Sequence, residues 1–188
     1  MTHSPFNRRQ FLSGLSAGAG ALWLGAPGEL VKQAALDAQR VQPTDKWRVL
    51  TEAEAAAIDA VTAEIWPTTE TPGAREAGVV RFIDQALATF AAADLPLVRQ
   101  GVVELDREAH KRDPHVTAYA RLDQVRQADI LRALDDAKSV FFETIRVATI
   151  QGLCANPAYG GNRDKIGWKL IGFEDRFVWQ APFGDYDR

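Results

Sequence analysis

Between Thr51 and Leu153 helix start and stop signals succeed one another, and no stretch alternates apolar and polar residues for long enough to form a strand. That pattern confines the chain to an all-α fold. Thr51-Glu52-Ala53-Glu54 is a capping box, in which the Thr51 hydroxyl can accept from the Glu54 amide and the Glu54 carboxylate can return the bond, with Leu50 at the staple position. Ile58, Val61 and Ile65 then share a stripe, and the helix should stop at Trp66 because Pro67 disfavours helical geometry in the residue before it. Thr68-Thr69-Glu70-Thr71-Pro72-Gly73 reads as a turn-rich loop.

A second helix is expected from about Glu76 to Ala92, with Val79, Val80, Ile83, Leu87 and Phe90 at helical spacing. Asp94-Leu95-Pro96 starts a third, since proline is tolerated in a first turn, and Leu97, Val98, Val102, Leu105 and Ala109 carry its apolar face to about Lys111, before Asp113-Pro114 ends it. Asp123 caps a fourth helix with Val125, Ile130, Leu131 and Leu134, and Ser139 caps a fifth with Phe141, Phe142, Ile145, Thr149 and Leu153 pointing inward. The expected architecture is a single all-α bundle of about five helices, with an irregular glycine- and aromatic-rich C-terminal tail after it. That tail, from Asn156 onward, holds Tyr159, Trp168, Phe173, Phe177, Trp179, Phe183 and Tyr186, broken up by Gly160-Gly161, Gly167, Gly172 and Gly184. Such aromatics either pack back over the bundle or form a contact surface, and the two are compatible residue by residue.

The bundle does not start at the N-terminus. Arg8 and Arg9, with Phe11 and Leu12 just after them, stand ahead of an apolar stretch with no charged residue between Gln10 and Gly28, which reads as a twin-arginine export signal. Its glycines make it only mildly hydrophobic, and about 16 residues fall short of the roughly 20 that span a bilayer. The organisation is therefore residues 1–28 as export signal, 29–48 as linker and 49–188 as the helical domain. The expected address is periplasmic, at the inner membrane through partner subunits.

The formal charge of −3, which loss of Arg8 and Arg9 with the signal would make two units more negative, argues against nucleic acid as a partner. One cysteine and three histidines leave metal and redox chemistry almost without ligands: there is no C-x-x-C and no H-E-x-x-H. No metal site, cofactor site or catalytic residue is expected in this chain. Glu104, Asp106, Glu108 and His110 share helix faces, but Arg107, Lys111 and Arg112 surround them, so they read as a solvated charged face. The twin-arginine route exports folded proteins, usually because a cofactor was inserted first. A chain with nothing to load points to a signal that serves a second protein. In an oxidising compartment the unpaired Cys154 is a candidate for an interchain disulfide, against the alternative of a small buried hydrophobe.

Leu50-Thr51-Glu52-Ala53-Glu54, Ile65 to Ala74, Glu76-Ala77-Gly78-Val79-Val80 and Phe82-Ile83-Asp84 resemble the small (gamma) subunit of membrane-associated sugar and alditol dehydrogenases, the gluconate 2-dehydrogenase small-subunit family. Pro157-Ala158-Tyr159-Gly160-Gly161-Asn162 and Gly167-Trp168-Lys169-Leu170-Ile171-Gly172-Phe173 look like the same family's closing motif, so the resemblance runs from about Val49 to Phe173. It implies a non-catalytic subunit that binds, stabilises and co-exports a flavin-dependent GMC-type dehydrogenase lacking its own signal. FAD would sit in that partner and haem c in a possible multihaem cytochrome c subunit, with neither in this chain. The twin-arginine translocase is the remaining partner. Pro72, Gly73, Tyr159, Gly160, Gly161, Asn162, Trp168, Gly172 and Phe173 are the candidate partner interface. The alternative is a standalone exported enzyme or small-molecule-binding protein with a pocket under the C-terminal aromatics.

Overall fold

The computed structural model describes residues 46–176. They form six α-helices: α1 Glu52–Ile65, α2 Val79–Leu87, α3 Leu95–Arg112, α4 Gln124–Asp136, α5 Val140–Cys154 and α6 Ile166–Ile171, with no strand among the described residues. The all-α expectation holds, and five of the helices make the bundle. α2 packs on α1 and α5, α3 on α1, α4 and α5, and α6 on the end of α5. Ile58, Ile83, Leu105, Ile130, Ile145 and Leu153, one or more from each bundle helix, are fully enclosed where these faces meet. Each contributes roughly 1.5–3 kcal/mol by leaving water.

The caps read from the sequence are the ones that form. Thr51 accepts from the Glu54 amide while Glu54 returns the bond, and Asp123 and Ser139 accept from Arg126 and Phe142 amides. α1 ends at Ile65 with Trp66 as its C-cap.

α2 is shorter than the apolar spacing predicts, starting at Val79 and ending at Leu87. Residues 74–78 form a tight turn instead, closed by Val79 N–H donating to Ala74 O at 3.1 Å, with Gly78 at φ 69°, a conformation that interrupts a right-handed helix. At the other end Thr89 turns its hydroxyl back onto Gln85 O at 2.7 Å, competing with the helical ladder. Of the expected tail, residues 177–188, with Phe177, Trp179, Phe183, Gly184 and Tyr186, lie outside the described residues, and the described part is not irregular throughout. It forms 3₁₀ turns at Pro157–Tyr159 and Arg163–Lys165, then α6.

The charged face of α3 is mostly as read. Glu108 pairs with Lys111 and Arg112, both at 2.7 Å, Glu104 accepts from Gln100 at 2.8 Å, and His110 Nδ1 lies 3.2 Å from Val116 O. The Lys111 and Arg112 contacts hold the Glu108 carboxyl below the usual range. Asp106 is the exception, because it accepts the Tyr119 amide at 2.8 Å and fastens a 3₁₀ turn, Tyr119–Arg121, whose tyrosine is wholly buried. That is a structural role which spacing along α3 alone does not reveal.

Candidate functional site

The loop after Trp66 is built on one carboxylate. Glu76 Oε2 accepts from the Thr68 hydroxyl at 2.8 Å and from the Gly73 amide at 2.7 Å, and these bonds hold its carboxyl below the ordinary glutamate value. Ala74 N–H donates to Trp66 O at 2.9 Å, closing the loop neck. Arg75 pairs with Asp59 at 3.0 Å, yet burial outweighs the arginine and leaves the Asp59 carboxyl raised. The result is a run of exposed residues, Pro67 to Pro72, standing on an ordered base.

The tail is fastened to the last turn of α5. Asn162, fully buried, donates from Nδ2 to Ala155 O and accepts the Gly167 amide at Oδ1, both at 2.8 Å. Trp168 Nε1 donates to Cys154 O at 2.7 Å. These side chains satisfy carbonyls that a helix C-terminus leaves open. Gly167 is required because a Cβ there would stand 1.7 Å from Leu153 O, and Gly160 adopts φ 96° with its backbone against Arg81. Asn162, Asp164 and Lys165 hold φ of 48°, 56° and 58°, left-handed values that cost non-glycine residues free energy unless the surroundings impose them.

Residues 46–50, the first of the described residues, form a strap docked on α2. Asp84 is 2% exposed and its carboxylate accepts three backbone amides, Arg48 at 2.7 Å, Val49 at 3.0 Å and Leu50 at 3.0 Å. A buried carboxylate with several N–H partners is stable, whereas an unpartnered one is costly. Arg81 stacks its guanidinium 3.7 Å from the centre of the Trp47 ring and donates to Lys46 O at 3.3 Å. Trp47 and Val49 pack against the core.

The three segments meet at the first turn of α2. Arg163 N–H donates to Ala77 O at 2.9 Å, tying the tail to the neck of the loop, and Arg81 joins strap and tail one turn on. Among the expected interface residues, Pro72, Gly160, Gly172 and Phe173 are exposed, Tyr159 is half-buried, and Gly73, Gly161, Asn162 and Trp168 are buried within the chain. The buried four shape the surface from beneath. Phe173 packs against Trp168 at a 60° tilt with ring centres 5.1 Å apart, and Ile171, not anticipated, is also exposed. Cys154 closes α5 as an exposed residue with a free thiol, which partial enclosure by its neighbours pushes up in pKa. Arg8, Arg9, Phe11 and Leu12 lie outside the described residues.

Asp84 is the one organising residue with a readable signal. It falls four residues after Val80 and three before Leu87, on the apolar stripe, where a carboxylate must find donors. A cleft of about 340 Å³ lies between α3 and α4, lined by Leu105, Ile130, Leu134 and Phe141 with Arg107 and Lys111 at its rim. Of the C-terminal aromatics invoked in the alternative reading, the described Tyr159, Trp168 and Phe173 do not line it. Among the described residues no group of three or more His, Cys, Asp or Glu side chains is placed to hold a metal ion.

Fold and site together define a helical bundle closed by an ordered glycine-rich tail, with two exposed segments converging on one helix start. Residues 52–175 match the family described as gluconate 2-dehydrogenase subunit 3, and the chain belongs to that family. It is thus a subunit of a dehydrogenase complex by family. No curated protein and no solved structure matches the chain.

Proposed function

We propose that this chain is the non-catalytic small subunit of a flavin-dependent sugar or alditol dehydrogenase, which it binds, stabilises and carries through the twin-arginine pathway to the periplasm. The observation that carries the reading is the convergence of the loop 67–73 and the tail 157–173 on α2, inside the stretch that matches the family. Both are preorganised by internal bonds from Glu76, Asn162 and Trp168, so little ordering entropy is left to lose on docking. The catalytic partner would hold FAD, and a cytochrome c subunit would pass electrons onward. Arg8 and Arg9 supply the export signal for the pair.

Replacing Arg8 and Arg9 by Lys tests the escort role. Dehydrogenase activity should stay in the cytoplasm, and activity that still reaches the periplasm removes that role. A yellow flavoprotein should co-purify with the tagged chain. The exposed Cys154 at the end of α5 is the residue proposed to form a disulfide to that partner, and its exposure supports the reading. Non-reducing electrophoresis of the complex should show one joined band, and free migration of this chain sinks the tether.

A further inference from the structure

We infer that the strap, residues 46–50, is a releasable element whose docking on α2 is coupled to partner binding, so that a bound partner locks the linker carrying the export segment; this rests on the partner-binding role proposed above. The strap is held by few, identifiable contacts. Asp84 accepts the Arg48, Val49 and Leu50 amides, Arg81 donates to Lys46 O and stacks on Trp47, Arg99 of α3 donates to Val49 O at 3.0 Å, and only Leu50 is deeply buried. Against those contacts stands one buried donor of the strap itself, Trp47 Nε1, which has no hydrogen-bond partner among the described residues. A buried donor without a partner opposes the docked state, and release would return the indole N–H to water. The docked strap is favoured without being over-determined, which is what a two-state element requires.

Arg81 makes the coupling physical. Its guanidinium pins the strap while its own carbonyl backs the tail at Gly160, where a Cβ would stand 3.3 Å away. Gly160 has the left-handed φ of 96°, and the neighbouring Arg163 amide is bonded to Ala77 O, one turn before Arg81. A partner seated on the tail and loop restrains this turn of α2 and so restrains the side chain that holds the strap. Coupling of this kind is reciprocal: whatever factor docking contributes to strap closure, strap closure contributes to docking.

The test is hydrogen exchange of the Arg48, Val49 and Leu50 amides in the free full-length chain and in the complex with its co-purified dehydrogenase subunit. In the free chain these amides should exchange at least about tenfold faster than those of Ile58 and Ile145, showing opening below global unfolding. In the complex they should slow at least about fivefold, and Trp47→Ala should weaken the complex by a similar factor, as reciprocity demands. In Arg81→Ala the complex should still form, with the gain in strap protection lost. Strap amides that exchange only with the core, or equally in free and bound chain, overturn the inference while leaving the complex intact. Loss of affinity in Trp47→Ala without a change in strap protection also overturns it, because Trp47 would then be a direct contact. If no dehydrogenase subunit co-purifies, the partner-binding reading fails first and the coupling falls with it.

Discussion

Replacing Asp84 by Ala should remove the strap from the bundle. The carboxylate accepts three amides at 2.7, 3.0 and 3.0 Å in a site that is 2% exposed. Hydrogen bonds to a charged group contribute about 1.5–3 kcal/mol each, and the cost of burying the carboxylate offsets part of the sum. The Arg48 and Val49 amides can turn to water in place, but the amide of Leu50, a residue 6% exposed, would stay an unpaired donor in a docked strap, which favours release. The net loss should be about 2–4 kcal/mol. For a folded body of this size each kcal/mol moves the melting midpoint by about 3–5 °C, so a fall on the order of 10 °C is expected in a calorimetric scan. Asp84→Asn should rescue part of the loss, because its Oδ1 can still accept the Val49 and Leu50 amides while its Nδ2 turns a donor toward the Arg48 N–H. A double-mutant cycle sharpens the test: Trp47→Ala, costly alone, should cost almost nothing in the Asp84→Ala background, since the strap is already released. A midpoint within about 2 °C of the parent, or additive costs, would refute the clamp.

Asn162→Ala removes both bonds of a fully buried amide and leaves the Ala155 carbonyl and Gly167 amide open, so urea unfolding should show a loss of about 2–3 kcal/mol. Gly167→Ala forces a Cβ to 1.7 Å from Leu153 O, and α6 should detach, read as lost protection of the Trp168 indole N–H by NMR. The Glu76 carboxyl is depressed in the folded chain, so its contribution to loop order is present above the ordinary glutamate value of about 4.3 and lost as the pH falls through the lower folded value. The Gly73 amide shift should titrate below that ordinary value, and Glu76→Gln should abolish the titration; a midpoint at or above about 4.3 contradicts the loop-building role.

Helix positions in the bundle are legible wherever a local signal coincides with packing. The box of Thr51 and Glu54, Asp123 and Ser139 each cap the helix they precede, and Pro67 stops α1 at Ile65. The start of α2 departs from the spacing because Val79 and Val80 continue an apolar rhythm through Glu76-Ala77-Gly78, while a positive φ at Gly78 decides the matter. The same limit hides the tail's order. Asn162 reads in sequence as a polar residue free to meet another chain, whereas its amide is consumed by Ala155 and Gly167 of its own. Spacing shows which residues share a helix face, but the bonds made by Asp106 to Tyr119 or by Asp84 to the strap join segments 13 to 36 residues apart. Such pairings have no periodic signature.

The bond from the Trp168 indole to the Cys154 carbonyl gives the chain a direction in time. The final carbonyls of α5 are capped by residues made later, Asn162 and Trp168, and the surface formed by Gly160, Ile171 and Phe173 exists only once those caps close. A chain cut short after Ala155 contains the sequence of every bundle helix and lacks the tail half of the face proposed for its partner. On the reading proposed above, the tail would serve as a check on completeness, because a truncated subunit, however helical, would offer only the loop 67–73 for assembly.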